Sequence, residues 1–88
     1  METLFVSGAC GFIGSNFVHM ILEEHPSIRI INYDSLTYAG NLANLKSCEG
    51  NERHIFVHGD IRDSERIIET IEKYDVCGII NFAAESHV

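Results

Sequence analysis

Three glycines, Gly8-x-x-Gly11-x-x-Gly14, separate a short β-prone run at residues 3–7 from a segment at residues 12–24 whose apolar positions recur at helical spacing. The first run is too short for a helix and suits a strand buried on both faces. The second carries Ile13, Phe17, Met20 and Ile21, with Val18 and Leu22 beside them, and Pro26 ends it by about His25. In a strand–turn–helix of this kind Gly8 permits the tight turn and Gly11 lets the backbone approach an anion. Gly14 lets the helix pack closely on the sheet, and the free N–H groups and helix dipole face the same point. An ordinary strand-to-helix turn can show the same spacing, so its meaning depends on the rest of the chain.

Beyond the first helix the alternation repeats. Residues 28–33 are a second β-branched run, closed by Asp34, and residues 35–53 are polar and turn-rich with room for a short helix near 42–47. Ile55-Phe56-Val57 reads as a third strand closed by Gly59-Asp60. Asp63 is a good N-cap for a helix with Ile67, Ile68, Ile71 and Tyr74 on its apolar side, and residues 76–82 form a fourth strand. Strands alternating with helices predict an α/β fold with a parallel sheet and right-handed crossovers. The expected architecture is the first half of a Rossmann-type doubly wound sheet, strand order 3-2-1-4. Helix 12–24 covers one face and helix 63–74 the other. Strand four is then an edge, whose apolar surface favours self-association. A chain of 88 residues has room for one domain at most.

All four strands of such a sheet end at one edge, where ligands bind in open α/β folds, and Gly8, Asp34, Asp60 and Ala83 fall there. Asp34 lies 20 residues beyond Gly14 at the tip of strand two, the place of an acid that accepts hydrogen bonds from an adenosine ribose. A carboxylate there repels a 2′-phosphate, and neither Ser35 nor Leu36 supplies an arginine, so NAD is favoured over NADP. Asp34 is also a common loop-opening residue. Asp60 with the backbone N–H of Ile61 suits an adenine edge, although Gly-Asp after a strand is equally good turn chemistry. The small Ala83-Ala84 pair leaves room for a cofactor across strand four, or simply packs tightly.

Charge and composition narrow the partners. Asp and Glu number 13 against 6 Lys and Arg, a net charge of −7, which disfavours nucleic acid and anionic membrane surfaces. A backbone cradle still admits a phosphate ligand without basic side chains. Three cysteines without a C-x-x-C pair, and no basic, apolar leader or membrane-length run, point to a reduced, cytoplasmic setting. No metal site is expected: of five histidines only His54 and His58 share an i,i+4 spacing, and no third ligand accompanies them. Cys10 sits where a helix N-terminus would stabilise a thiolate, and Ser7 and Ser86 lack the G-x-S-x-G context of a hydrolase nucleophile.

Longer runs are more specific than the glycines. The stretch from Gly8-Ala9-Cys10-Gly11-Phe12-Ile13-Gly14 to Ser15-Asn16-Phe17-Val18 resembles the opening of the extended short-chain dehydrogenase/reductase family. Asp34-Ser35-Leu36-Thr37-Tyr38-Ala39-Gly40-Asn41-Leu42 and Phe82-Ala83-Ala84-Glu85-Ser86-His87-Val88 narrow the resemblance to its dTDP-glucose 4,6-dehydratase branch. The likeness runs through all 88 residues in one register, with Ala9-Cys10 where the family usually has Gly-Ala.

The resemblance implies cofactor contacts at Phe12 and Ile13, at Asp34, Ser35, Leu36 and Thr37 around the ribose, and at Asp60 and Ile61 by the adenine. It adds Phe82, Ala83, Ala84, Glu85 and Ser86 on the far side, with Ser86 also touching the sugar nucleotide. It further implies that residues 1–88 are the N-terminal part of an NAD-binding domain. The catalytic Tyr-x-x-x-Lys pair, the dehydration acid and base and the substrate domain are expected beyond residue 88. No catalytic residue is assigned here: Tyr33, Tyr38 and Tyr74 are followed four places on by Thr37, Leu42 and Gly78, not lysine. The intact enzyme, expected to be a homo-oligomer, would use tightly held NAD to oxidise C4 of dTDP-glucose and eliminate water across C5–C6. Returning the hydride to C6 gives dTDP-4-keto-6-deoxy-glucose, a deoxysugar precursor. The 88-residue chain alone is expected to be inactive. A sister epimerase or decarboxylase, a non-catalytic dinucleotide-binding module and an inert piece are the other readings.

Overall fold

The computed structural model describes residues 2–8, 12–35 and 50–82, with residues 12 and 13 described by their backbone alone. Within them the order is β1 (Glu2–Ser7), α1 (Phe12–Glu24), β2 (Ile28–Asp34), β3 (His54–His58), α2 (Ser64–Lys73) and β4 (Gly78–Asn81). Every β-prone run expected from the sequence is a strand, with ends shifted by one or two residues. The short helix expected near 42–47 lies outside the described residues.

β1 and β2 carry apolar side chains on both faces, so they can be stable only in the middle of a sheet covered on both sides. The described strands form one parallel sheet in the order β3-β2-β1-β4, as expected from the alternation. Val6 lies opposite Asn32 and Ile80, and Tyr33 opposite Ser7 and Val57. One core contains Val6 and Ile30 from the sheet with Val18, Ile21 and Leu22 of α1. The other contains Phe5, Ile31 and Tyr33, closed by Ile67, Ile71 and Tyr74 around α2. The two helices therefore take opposite faces.

Two expectations about helix faces change. Met20 is 43% exposed and Ile68 54% exposed, although their spacing places both with the apolar residues of their helices. Inward stripes run through Val18, Ile21 and Leu22 in α1, and through Ile67, Thr70, Ile71 and Tyr74 in α2. Met20 and Ile68 stand about 100° off a neighbouring member of those stripes, enough to turn each to solvent.

Both ends of α2 are closed. Asp63 caps the N-terminus, its carboxylate accepting the Arg66 backbone N–H at 3.2 Å. At the other end Val76 N–H reaches Ile71 C=O at 3.1 Å and Asp75 N–H reaches Glu72 C=O at 3.4 Å. Asp75 has φ +53° and occupies the left-handed position of this Schellman closure. α1 has no basic residue in its last turn. Arg53, just before β3, reaches back instead, donating to Leu22 C=O at 2.6 Å, His25 C=O at 3.0 Å and Ile28 C=O at 2.9 Å. One guanidinium thus satisfies carbonyls at the negative end of α1 and at the start of β2. Arg53→Ala is expected to lower the unfolding free energy by about 2 kcal/mol, read from the urea midpoint.

β4 forms the outer strand of the described sheet, and Ile79 is 61% exposed there. Among the described residues no helix is long and apolar enough to cross a membrane.

Candidate functional site

Parallel pairing brings the C-terminal ends of all described strands to one edge, and backbone hydrogen bonds carry the alignment one residue further. Gly8 N–H donates to Tyr33 C=O at 3.3 Å, Gly59 N–H to Asp34 C=O at 3.0 Å, and Phe82 N–H to Ser7 C=O at 2.7 Å. Gly8, Asp34, Gly59 and Phe82 are thereby set side by side. Gly8 has φ +76°, a conformation that strains any residue with a Cβ, so the first glycine of the turn is required by the backbone itself. Gly14 and Ser15 are buried in the first turn of α1, which carries no acidic residue. A helix N-terminus without a carboxylate of its own is open to an anion from outside.

Asp34 ends β2 and is 9% exposed, beside the exit of β1. Ser35 comes next, and its carbonyl lies 3.1 Å from His58 Nε2. At the exit of β4, Ser7 Oγ donates to Asn81 Oδ1 at 2.7 Å and joins β1 to β4. Phe82 sits at the same edge, but its ring packs on Phe17 at 5.5 Å between centroids, within the core under α1.

The turn after β3 is held by Asp60 and Arg62. Asp60 accepts the Arg62 backbone N–H at 2.8 Å on Oδ1 and forms an ion pair with the Arg62 guanidinium at 2.8 Å through Oδ2. These hydrogen bonds from Arg62, side chain first and backbone second, lower the Asp60 pKa from 3.8 to about 2. Its backbone carbonyl accepts the Tyr33 hydroxyl at 2.8 Å and the Asp63 N–H at 2.9 Å. The Asp60 carboxylate is thus engaged by Arg62, while Ile61 between them is 45% exposed. Asp60-x-Arg62 is a local side-chain-to-backbone turn visible in the sequence. The Tyr33 contact joins residues far apart in sequence, and only the β2–β3 register reveals it.

The structure therefore brings together Gly8, the backbone of Phe12 and Ile13, Gly14, Asp34, Ser35, Asp60, Ile61 and Phe82. Gly11, Leu36, Thr37, Ala83, Ala84, Glu85 and Ser86 lie outside the described residues. Among the described residues no three of His, Cys, Asp and Glu gather as a metal-binding group.

Comparison with known proteins finds relatives along the whole chain. The family described as GDP-mannose 4,6 dehydratase matches residues 5–88. A dTDP-glucose 4,6-dehydratase of Xanthomonas campestris pv. campestris (strain B100) is 49% identical over 88 residues, which is 100% of this chain and 24% of that protein. A crystal structure of dTDP-glucose 4,6-dehydratase from Bacillus anthracis str. Ames in complex with NAD is 44% identical with a TM-score of 0.92. It covers 94% of this chain, and the match takes in 27% of that one. The UDP-glucose 4-epimerase of Brucella ovis in complex with NAD is 31% identical, with a TM-score of 0.76 over 94% of this chain and 23% of its own. The chain thus spans about a quarter of the length of these relatives.

Proposed function

The chain belongs to the GDP-mannose 4,6 dehydratase family, and on that premise we propose that it is the N-terminal part of an NAD-binding domain. It holds the adenosine and pyrophosphate end of the dinucleotide. The observation that carries this reading is the convergence of Gly8, the α1 N-terminus, Asp34 and the Asp60–Ile61 turn on one edge of the sheet.

The residues present fit such a cofactor. The left-handed Gly8 and the acid-free first turn of α1 suit a pyrophosphate. Asp34, acceptor-only when ionised, suits the two ribose hydroxyls. The exposed Ile61 offers an apolar surface to a flat base, and its backbone N–H a hydrogen bond. Asp60 is held by Arg62, so any hydrogen bond from an adenine amine to its carboxylate would be shared with that guanidinium. Gly11, Leu36, Thr37 and residues 83–86 belong to the same site on the strength of the family pattern. NAD supplies a hydride acceptor, and this chain's contribution is to bind and orient its adenosine half.

The parent reaction belongs to the same proposal: a cytoplasmic enzyme that dehydrates dTDP-glucose to dTDP-4-keto-6-deoxy-glucose, with Ser86 reaching the sugar nucleotide. Identities of 49% and 44% to the two dehydratases against 31% to the epimerase favour that activity over epimerisation. Calorimetric titration of the chain with NAD, with NADP as control, tests the binding function. Saturable binding that prefers NAD by at least about ten-fold is expected, because Asp34 repels a 2′-phosphate. Equal affinity for the two, or binding of neither by a folded chain, contradicts it.

A further inference from the structure

Three strand exits are tied together by one residue that is not itself a ligand-facing group. We propose that Tyr33 is the positioning residue of this site, holding the β1 and β3 exits around Asp34 and so setting affinity for the adenosine end of the dinucleotide. The proposal rests on the NAD-binding function proposed above.

The geometry is specific. Tyr33 immediately precedes Asp34, and successive strand residues point to opposite faces, so its ring goes into the α2-side core as Asp34 turns the other way. It is 1% exposed and tilted against Phe5 at 5.2 Å between ring centroids. Its backbone carbonyl accepts Gly8 N–H at 3.3 Å, which anchors the start of the glycine turn. Its hydroxyl donates to Asp60 C=O at 2.8 Å, which anchors the turn after β3. That carbonyl also accepts Asp63 N–H at 2.9 Å, and Asp63 caps α2, so the hydroxyl is linked to a whole helix. Burial raises the Tyr33 pKa, the Asp63 and Asp60 carboxylates raise it further, and Arg66 opposes them. The hydroxyl therefore stays protonated and donates across the neutral range.

A phenylalanine at this position would keep the ring against Phe5 but would leave the Asp60 carbonyl with the Asp63 N–H alone. The hydroxyl is what connects core packing to loop position. Ile61, one residue on, inherits its place from that bond.

Tyr33→Phe removes the hydroxyl and keeps the ring, so the test separates positioning from packing. Backbone amide exchange of the ligand-free chain is measured for both proteins, followed by titrations with NAD and with AMP. Exchange at Arg62 and Asp63 is expected to accelerate about five-fold while Val6 and Ile31 stay unchanged. Affinities for NAD and AMP are both expected to fall about five-fold, the factor that one neutral hydrogen bond supplies. Unchanged exchange at Arg62 and Asp63 overturns the proposal, and so does faster exchange with unaltered affinities. A uniform acceleration that includes Val6 and Ile31 also overturns it, since the hydroxyl would then serve global stability. Failure of the unsubstituted chain to bind NAD or AMP overturns the NAD-binding function and the affinity effect with it. The exchange experiment still decides whether Tyr33 holds the turn.

Discussion

Asp34→Ala is expected to weaken NAD binding by about a hundred-fold while leaving the fold intact. An ionised carboxylate accepting both ribose hydroxyls makes two charge-assisted hydrogen bonds, and their loss together is worth about 3 kcal/mol. The backbone bond from Gly59 N–H to Asp34 C=O survives the substitution, so the β2–β3 exit keeps its geometry. Discrimination against NADP should shrink at the same time, because the charge that repels a 2′-phosphate is gone. Asp34→Asn, with the same shape and no charge, should fall between the two, at about a ten-fold loss. Calorimetry on the three proteins, with circular dichroism as a check on folding, reads both effects. An alanine variant that keeps full NAD affinity would mean that Asp34 merely opens a loop.

The second large effect is structural. Gly59 lies against the Tyr33 ring so closely that a Cβ there would overlap the ring carbons and hydroxyl. Its φ is not in the left-handed region, so the demand for glycine at this position is purely one of contact. Tyr33 cannot retreat: Phe5 stands on one side and Asp60 holds its hydroxyl. Gly59→Ala is therefore expected to destabilise the chain by about 2–3 kcal/mol, the cost of overpacking a well-filled core. In a domain of this size that lowers Tm by roughly 10–15 °C. Because the clash is with one ring, combining Gly59→Ala with Tyr33→Leu should cost clearly less than the sum of the two single changes. Thermal unfolding of the four proteins closes this cycle, and strict additivity would place the strain elsewhere.

Legibility of the fold in the sequence comes from physics that acts locally. A strand apolar on both faces, such as residues 28–34, has few options besides the middle of a covered sheet. The Asp63 cap, the Pro26 stop and the glycine turn are signals set by residues close in sequence. The helix faces are only half legible. Apolar residues at 17, 18, 20, 21 and 22 span more than one stripe, and the sheet decides which of them is covered.

The site divides the same way. Gly8 and Asp34 emerge from their places at strand tips, whereas the ties that hold them are set by pairing register. Ser7 meets Asn81 across 74 residues, Arg53 meets Leu22 across 31, and Tyr33 meets Asp60 across 27. No periodicity in a single chain encodes those distances. Asp60 shows the opposite case. Its partner Arg62 is two residues away, so the turn that Gly59-Asp60 suggests after a strand is local, and it occupies the carboxylate that also suits an adenine edge.

The most direct measurement is a two-dimensional amide NMR titration of the chain with NAD. Shifts confined to the C-terminal edge of the sheet are predicted, at Gly8, Phe12 to Ser15, Asp34, Ser35 and Gly59 to Arg62. Shifts centred on the opposite edge, around His25 to Ile28 and Asn51 to Arg53, or none at saturating NAD, would contradict the account.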